Sequence, residues 1–268
     1  MKIITGYCRP EAVQSSEDYH LTQRNFLKAM SEKSLLNSAD NTLEINISPE
    51  SISYAVSDDN QQVLLRQELN IPIGPATDMG VFEHFFNQPE LQILGENVRI
   101  HYESNQYQLI PHELFSEKDM ADFFSVEHGA SENEAVQYQI LPKWGAILTY
   151  RLPVRMMAFF RQKFPEAEME HHIALLLKKQ LFNRETACWL NVRKDIIDIL
   201  VMQNKHLQLV NSFEVKTHED CCYFVLNVYE QLQLDTETFH LNVIINKSVN
   251  EELIKLLKKY IKNVENIK

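Results

Sequence analysis

The order of predicted strands and helices repeats once along this chain of 268 residues, and that repetition limits the folds open to it. Three strands with alternating or clustered apolar side chains lead into a helix, and a further strand follows. The first set is predicted at residues 42–48, 51–58, 61–71, 77–92 and 97–104, and the second at residues 187–193, 195–203, 206–215, 217–234 and 238–245. Sequence identity between the sets is low, so the pattern is repeated rather than the letters. We therefore expect two related α/β halves.

The remaining segments are predicted to add further strands and helices. Residues 106–114 and 136–152 have strand patterns, and residues 116–126 are typical of a helix that Ser116 caps. Residues 153–164 are predicted to be helical, and residues 168–182 to begin as a strand and end as a helix. The last helix is predicted over residues 248–264, where Ser248 and Glu251 make a capping box.

These elements favour a division of the chain into three parts. Residues 1–41 are mixed and polar and are interpreted as an N-terminal extension. Residues 42–152 are predicted to form a first lobe and residues 153–268 a second lobe.

Charge, cysteine content and hydropathy exclude several classes of protein. The formal net charge of −11 repels phosphate backbones, so no nucleic-acid partner is expected. Four cysteines without the spacing of a disulfide framework fit a reducing compartment. No apolar run is long enough to span a bilayer, and the first ten residues contain no signal-peptide core. We therefore expect a cytoplasmic protein without a membrane span.

A short cluster of chemically reactive residue types occurs at His218, Glu219, Asp220, Cys221 and Cys222. Adjacent side chains on a helix point about 100° apart, so the two cysteines cannot easily share one metal ion. The pattern is instead typical of a helix start, in which Thr217 is the cap and Asp220 completes a capping box. Both cysteines are then interpreted as small apolar residues.

Other motifs of catalysis are weak or missing. An alternating strand would place Glu170 and His172 on one face, so a metal-dependent enzyme built around His171 and His172 stays a weaker alternative, although a structural role is favoured. The sequence has no P-loop, no G-x-S-x-G and no G-x-G-x-x-G. No catalytic residue and no metal ligand is therefore predicted.

Three stretches resemble motifs of a bacterial family of unknown function: residues 43–56, 106–115 and 211–235. That family is similar to divergent actin-like proteins such as the division protein FtsA and the pilus protein PilM. The resemblance covers the chain from about Thr42 to its C-terminus. It implies a two-lobed actin-like ATPase (ribonuclease H-like) fold with duplicated βββαβ halves, and it carries no assigned activity.

The resemblance also implies where a nucleotide would sit, and this sequence departs from the pattern there. In the fold, two hairpin turns hold the phosphates, where glycine lets backbone N–H groups approach. The corresponding residues are Ser48, Pro49 and Glu50 in the first turn and Arg193, Lys194 and Asp195 in the second. Pro49 lacks a donor and Glu50 is negatively charged. A third turn, residues 246–248, would meet adenosine and also lacks glycine.

We therefore expect a non-catalytic cytoplasmic scaffold or adaptor with a degenerate nucleotide site and a protein partner. Neither ATP nor Mg²⁺ is expected as a cofactor. The alternative is an actin-like protein that binds ATP through Arg193, Lys194 and the N-terminus of the last helix.

Overall fold

The computed structural model describes residues 41–88, 91, 97–178, 184–245 and 251–267, apart from the side chain of residue 245. The strands are β1 (Thr42–Ile47), β2 (Ser51–Ser57), β3 (Val63–Asn70), β4 (Val98–Tyr102), β5 (Tyr107–Pro111), β6 (Glu134–Leu141), β7 (Ala146–Pro153), β8 (Glu168–His171), β9 (Ala187–Val192), β10 (Ile196–Gln203), β11 (His206–Glu214), β12 (Leu241–Ile245) and β13 (Val264–Ile267). The α-helices are α1 (Met79–Phe86), α2 (Met120–His128), α3 (Val154–Lys163), α4 (His172–Lys178), α5 (His218–Gln231) and α6 (Glu251–Leu257).

Two five-stranded sheets share one topology, and this confirms the predicted repeat. The first sheet has the order β3-β2-β1-β4-β8 and the second the order β11-β10-β9-β12-β13. In each sheet the first three strands of the chain order are antiparallel, and the last two join in parallel. Each half therefore uses the same ground plan, with its first strand at the centre.

Buried side chains of the strands form two hydrophobic core clusters, and the first of them also includes Trp189 and Leu200 of the second half. In β1 the side chains of Leu43, Ile45 and Ile47 are fully buried, as a period of two requires. Helices α1 and α3 add a cluster of aromatic side chains to the first core, among them Phe86 and Phe160. Helices α5 and α6 cover the second core.

A third sheet, of order β5-β7-β6, was not predicted as a separate unit. Its strands are antiparallel, and α2 lies between β5 and β6 in the chain. The sequence predicted the strands correctly, but periodicity carries no information about which strand pairs with which.

The last predicted helix is too long. Helix α6 ends at Leu257, and Val264 begins β13, which pairs in parallel with β12. Ile261 and Val264 are buried, but Ile261 follows a turn and Val264 lies in β13, so neither belongs to the helix. Their spacing from Leu257 imitates a helical stripe. The capping box predicted at Ser248 lies outside the described residues.

The cap of α5 gives a stability prediction. Thr217 accepts the N–H of Asp220 at 3.1 Å, and Asp220 accepts the N–H of Thr217 at 3.0 Å, which confirms the capping box. We expect Thr217→Ala to lower the free energy of unfolding by about 1 kcal/mol, measured by urea denaturation.

Ser116 provides the matched control for this prediction. Helix α2 begins later than predicted, with Asp119 at its cap position and no side-chain cap bond there. The Ser116 hydroxyl donates to the Asp119 carboxylate at 2.7 Å on the surface and caps no backbone N–H of α2. Ser116→Ala should therefore change stability much less than Thr217→Ala, and equal losses would contradict a special role for the α5 cap.

Candidate functional site

The two predicted phosphate turns face each other across the cleft between the sheets. The first turn joins β1 to β2 and the second joins β9 to β10, at the same position in each half. The Lys194 ammonium forms an ion pair with the Glu50 carboxylate. This hydrogen bond raises the pKa of Lys194, and Asp195 lies 3.9 Å from the same ammonium. The positive charge of Lys194 in the second turn is therefore neutralised by the negative charge of Glu50 in the first turn.

The first residue of each turn is bonded within its own hairpin. The Ser48 N–H donates to the Ser51 carbonyl at 2.9 Å, and the Arg193 N–H donates to the Ile196 carbonyl at 2.9 Å. The Ser48 hydroxyl also accepts the Ser51 N–H at 3.1 Å. The N–H groups of Ser48 and Arg193 are therefore not available to a phosphate, and Pro49 has none.

The Arg193 guanidinium points into the protein and binds Asp198 through two hydrogen bonds. Its Nη2 lies 2.7 Å from Asp198 Oδ1, and its Nε lies 3.0 Å from Asp198 Oδ2. Its Nη1 lies 3.7 Å from the Glu103 carboxylate. The Arg193 side chain is only 8% exposed. The cation predicted as an anion ligand therefore has internal carboxylate partners.

Asp198 is the centre of a buried polar network that the sequence analysis missed. Its carboxylate is fully buried and also accepts bonds from Asn191 at 2.8 Å and Ser212 at 2.6 Å, while His172 Nε2 lies 3.2 Å away. Burial opposes ionisation, but His172 and Arg193 outweigh it and hold the pKa of Asp198 well below its usual range. A charged carboxylate inside an otherwise apolar strand is the signal that could have found it.

The network continues across the cleft and ties the halves together. The Ser212 hydroxyl lies 3.1 Å from the Tyr107 hydroxyl, and Asn105 Nδ2 donates to the Glu214 carboxylate at 3.2 Å. Burial, followed by the Asp198 charge, raises the pKa of Tyr107. Together with the Glu50–Lys194 pair, these contacts bridge the space between the sheets.

The predicted pairing of Glu170 with His172 on one strand face is wrong. Strand β8 ends at His171, and His172 begins α4, so the alternation stops between them. Glu170 pairs with Lys178, and His171 Nδ1 accepts the Ile173 N–H at 3.3 Å. Among the described residues, no three metal-ligating side chains lie together.

The cysteines of α5 are packed in the second core. Cys221 and Cys222 are buried. Burial raises the pKa of Cys221 to about 11 and also raises that of Cys222, which disfavours the reactive thiolate. The third predicted turn, residues 246–248, lies outside the described residues. In the part of the chain that the structure covers, no helix is long and apolar enough to cross a membrane.

Comparisons with solved structures identify the fold. A protein from Bacteroides thetaiotaomicron VPI-5482, described as having an actin-like ATPase fold and unknown function, superposes with a TM-score of 0.73 at 28% identity, over 87% of this chain and 93% of that one. PilM in a PilM–PilN type IV pilus biogenesis complex superposes with a TM-score of 0.51 at 10% identity, over 84% of this chain and 88% of that one. The chain therefore has the actin-like ATPase fold. No curated protein matches it.

The family follows from the sequence itself. The profile described as "Protein of unknown function (DUF3822)" matches residues 30–264, which is most of the chain. The chain therefore belongs to the DUF3822 family.

Proposed function

We propose that this protein is a non-catalytic adaptor that uses the actin-like framework without nucleotide. The observation that carries the proposal is the cleft itself, where Glu50 binds Lys194 and Asp198 binds Arg193. A nucleoside triphosphate needs N–H donors that converge on its phosphates, and free cations, at these turns. Here Ser48, Glu50, Arg193, Lys194 and Asp195 stand at the corresponding positions and bind one another or their own hairpins.

The electrostatics of the first turn argue further against ATP. The Glu50 carboxylate would lie beside the phosphates, and like charges at close range repel. If an ATP phosphate displaced Glu50 from Lys194, the carboxylate would lose its partner and stay near the anion. Replacing Arg193 at Asp198 would be worse, because it would leave a buried carboxylate with fewer compensating donors.

Binding of a protein partner is a function that an actin-like framework can have without nucleotide. The PilM–PilN structure is a complex in which a chain of this fold assembles with another protein. By analogy, we propose that the present chain binds a protein, in the cytoplasm, and that nucleic acid is not its partner, given the net charge of −11. We also propose that residues 1–41 form an extension and that the rest of the chain forms two lobes. The pairing of β8 with β4 favours a lobe boundary after His171 rather than at residue 152.

Phosphate release tests the non-catalytic part. Purified full-length protein, incubated with ATP and Mg²⁺, should release phosphate no faster than a buffer blank. The Lys194→Gln variant should give the same rate, because an exposed ion pair that plays no catalytic part can be removed without loss. A turnover that exceeds the blank and falls in this variant would contradict the proposal and favour the ATP-binding alternative.

A further inference from the structure

A groove of about 960 Å³ lies between the three-stranded sheet and the second five-stranded sheet, and its lining includes no residue of the two phosphate turns. Its walls include five consecutive residues of β5, residues 107–111, and five consecutive residues at the β11 side, residues 207–211. A strand that presents a face to a groove contributes every second residue, whereas a strand that presents its edge contributes consecutive ones. Both strands are at the end of their sheets. Two strand edges therefore line this groove.

The free backbone groups of both edges can be assigned from the register. Arg193 N–H bonds the Ile196 carbonyl, so Ile196 and every second residue after it in β10 direct their backbone groups to β9. Leu200 is one of these, and its partner Val210 in β11 therefore points its N–H and C=O into the groove. By the same alternation from the His112 N–H to Gly145 carbonyl bond, Leu109 points its groups outward from β5.

The two edges do not satisfy each other. Among the described residues, no backbone hydrogen bond joins β5 to β11. Strand β5 is partly blunted, because Pro111 offers no donor and the Tyr107 carbonyl lies 3.4 Å from His128 Nε2. Strand β11 has no proline, and Val210 is its clearest unpaired position. An unpaired edge is the template on which an extended peptide adds as a further strand.

Apolar side chains and acidic charge define what would fit. Leu114 and Phe123 line the groove and are 69% and 58% exposed. Glu127 lines the groove, and the segment 112–128, which also contributes Leu114 and Phe123 to the lining, carries four further exposed acids and one lysine, Lys118. We call the five acids the acidic rim: Glu113, Glu117, Asp119, Asp122 and Glu127. The Glu127 carboxylate also accepts a bond from Gln108 at 2.8 Å, which holds it at the groove. The rim therefore favours a positively charged partner.

We propose that this groove binds an extended segment of a partner protein as an added strand on β11. The segment has about five residues in the groove, since five residues of a strand span about 17 Å. It is apolar at alternate positions, to contact Leu114 and Phe123, and carries Lys or Arg at its ends, to meet the acidic rim. This inference rests on the proposed adaptor role and gives that role a surface and a chemistry.

Peptide selection tests the groove directly. Random 12-residue peptides displayed on phage are selected on the immobilised full-length protein, and a selected peptide is labelled with fluorescein and titrated by anisotropy. We expect selected peptides to combine alternating apolar residues with Lys or Arg, and their affinity to fall as salt rises. Val210→Pro, which removes the outward N–H, should weaken binding at least tenfold.

A matched control exists in the first half. Glu68 occupies an outward-facing position on β3, the edge strand that corresponds to β11, so Glu68→Pro makes the same change far from the groove and should leave the affinity unchanged. Leu114→Ser alters an exposed side chain and keeps the test informative if Val210→Pro fails to fold; it too should weaken binding.

Other results would overturn the inference. No enrichment of peptides, enrichment of acidic ones, or equal losses in Val210→Pro and Glu68→Pro would each contradict it. A dimer seen by light scattering that Val210→Pro dissociates would assign the groove to a second copy instead. Phosphate release is measured on the same preparations to separate the two proposals. ATP turnover would contradict the non-catalytic role, whereas loss of peptide binding would contradict only the groove.

Discussion

Arg193→Ala should lower the free energy of unfolding by about 3–5 kcal/mol, one of the two largest effects that we expect from the structure. The variant would leave the fully buried Asp198 carboxylate without its two bonds from the guanidinium, at 2.7 and 3.0 Å. A buried charge that loses its partner keeps its desolvation cost and loses the attraction that offset it. Urea denaturation followed by circular dichroism measures the loss.

Arg184 is the control for this prediction. Arg184 Nη2 also donates two hydrogen bonds to a carboxylate, to Glu265 Oε2 at 2.8 Å and Oε1 at 2.9 Å. Both side chains are substantially exposed. Exposed pairs contribute at most about 1 kcal/mol, so Arg184→Ala should change stability little. Similar losses in Arg193→Ala and Arg184→Ala would contradict the view that the Asp198 network is a buried structural centre.

A double variant separates the charge from the packing. Arg193→Met combined with Asp198→Leu removes both charges and keeps apolar volume. Replacing a buried ion pair by apolar residues is often neutral or stabilising. We expect the double variant to recover part of the loss seen in Arg193→Ala, because Asn191, Ser212 and His172 lose their partner at Asp198.

The second large effect concerns pH and depends on His171. This side chain is fully buried among aromatic rings, and burial, followed by the charge of His172, holds the pKa of His171 well below its usual value. The unfolded chain takes up a proton there near pH 6.5, whereas the folded protein does so only at much lower pH. Stability therefore falls as the pH drops below about 6.5, by at most about 2 kcal/mol between pH 7 and pH 5 from this residue.

His171→Phe is the variant that tests this effect. It keeps an aromatic ring and removes the titration, so the free energy of unfolding should vary less with pH between 7 and 5 than in the wild type. His206→Gln, at an exposed histidine of β11, should keep the wild-type slope. Asp198 adds a separate loss at lower pH, because the stabilisation from its depressed pKa is fully present above about pH 4 and is lost as the pH falls further. An unchanged slope in His171→Phe would contradict the account.

The fold could be predicted largely because its signals are local. The strands of both halves have alternating or continuous apolar residues, and Thr217 with Asp220 marks the start of α5. The third sheet and β13 could not be predicted in the same way. Their identity depends on which strands pair across long stretches of chain, and Val264 shares helical spacing with Leu257.

The candidate site was predicted only in part. The resemblance placed Glu50 and Lys194 in opposite turns, but their ion pair depends on how closely the halves approach, which no local pattern records. Arg193 was interpreted as a possible anion ligand because it is a cation in the second predicted phosphate turn, and Asp198 was not considered as its partner. In the hairpin, β10 brings Asp198 back beside Arg193.

A calorimetric titration of the purified protein with ATP and Mg²⁺ tests the central claim most directly. We expect no saturable heat at millimolar ATP, because Glu50 and Asp198 already bind the cations of the cleft. Melting temperature should likewise not rise with ATP, since a ligand stabilises a protein only by binding its folded state. A saturable heat that is lost in Lys194→Gln would contradict the account and place a nucleotide between the two turns.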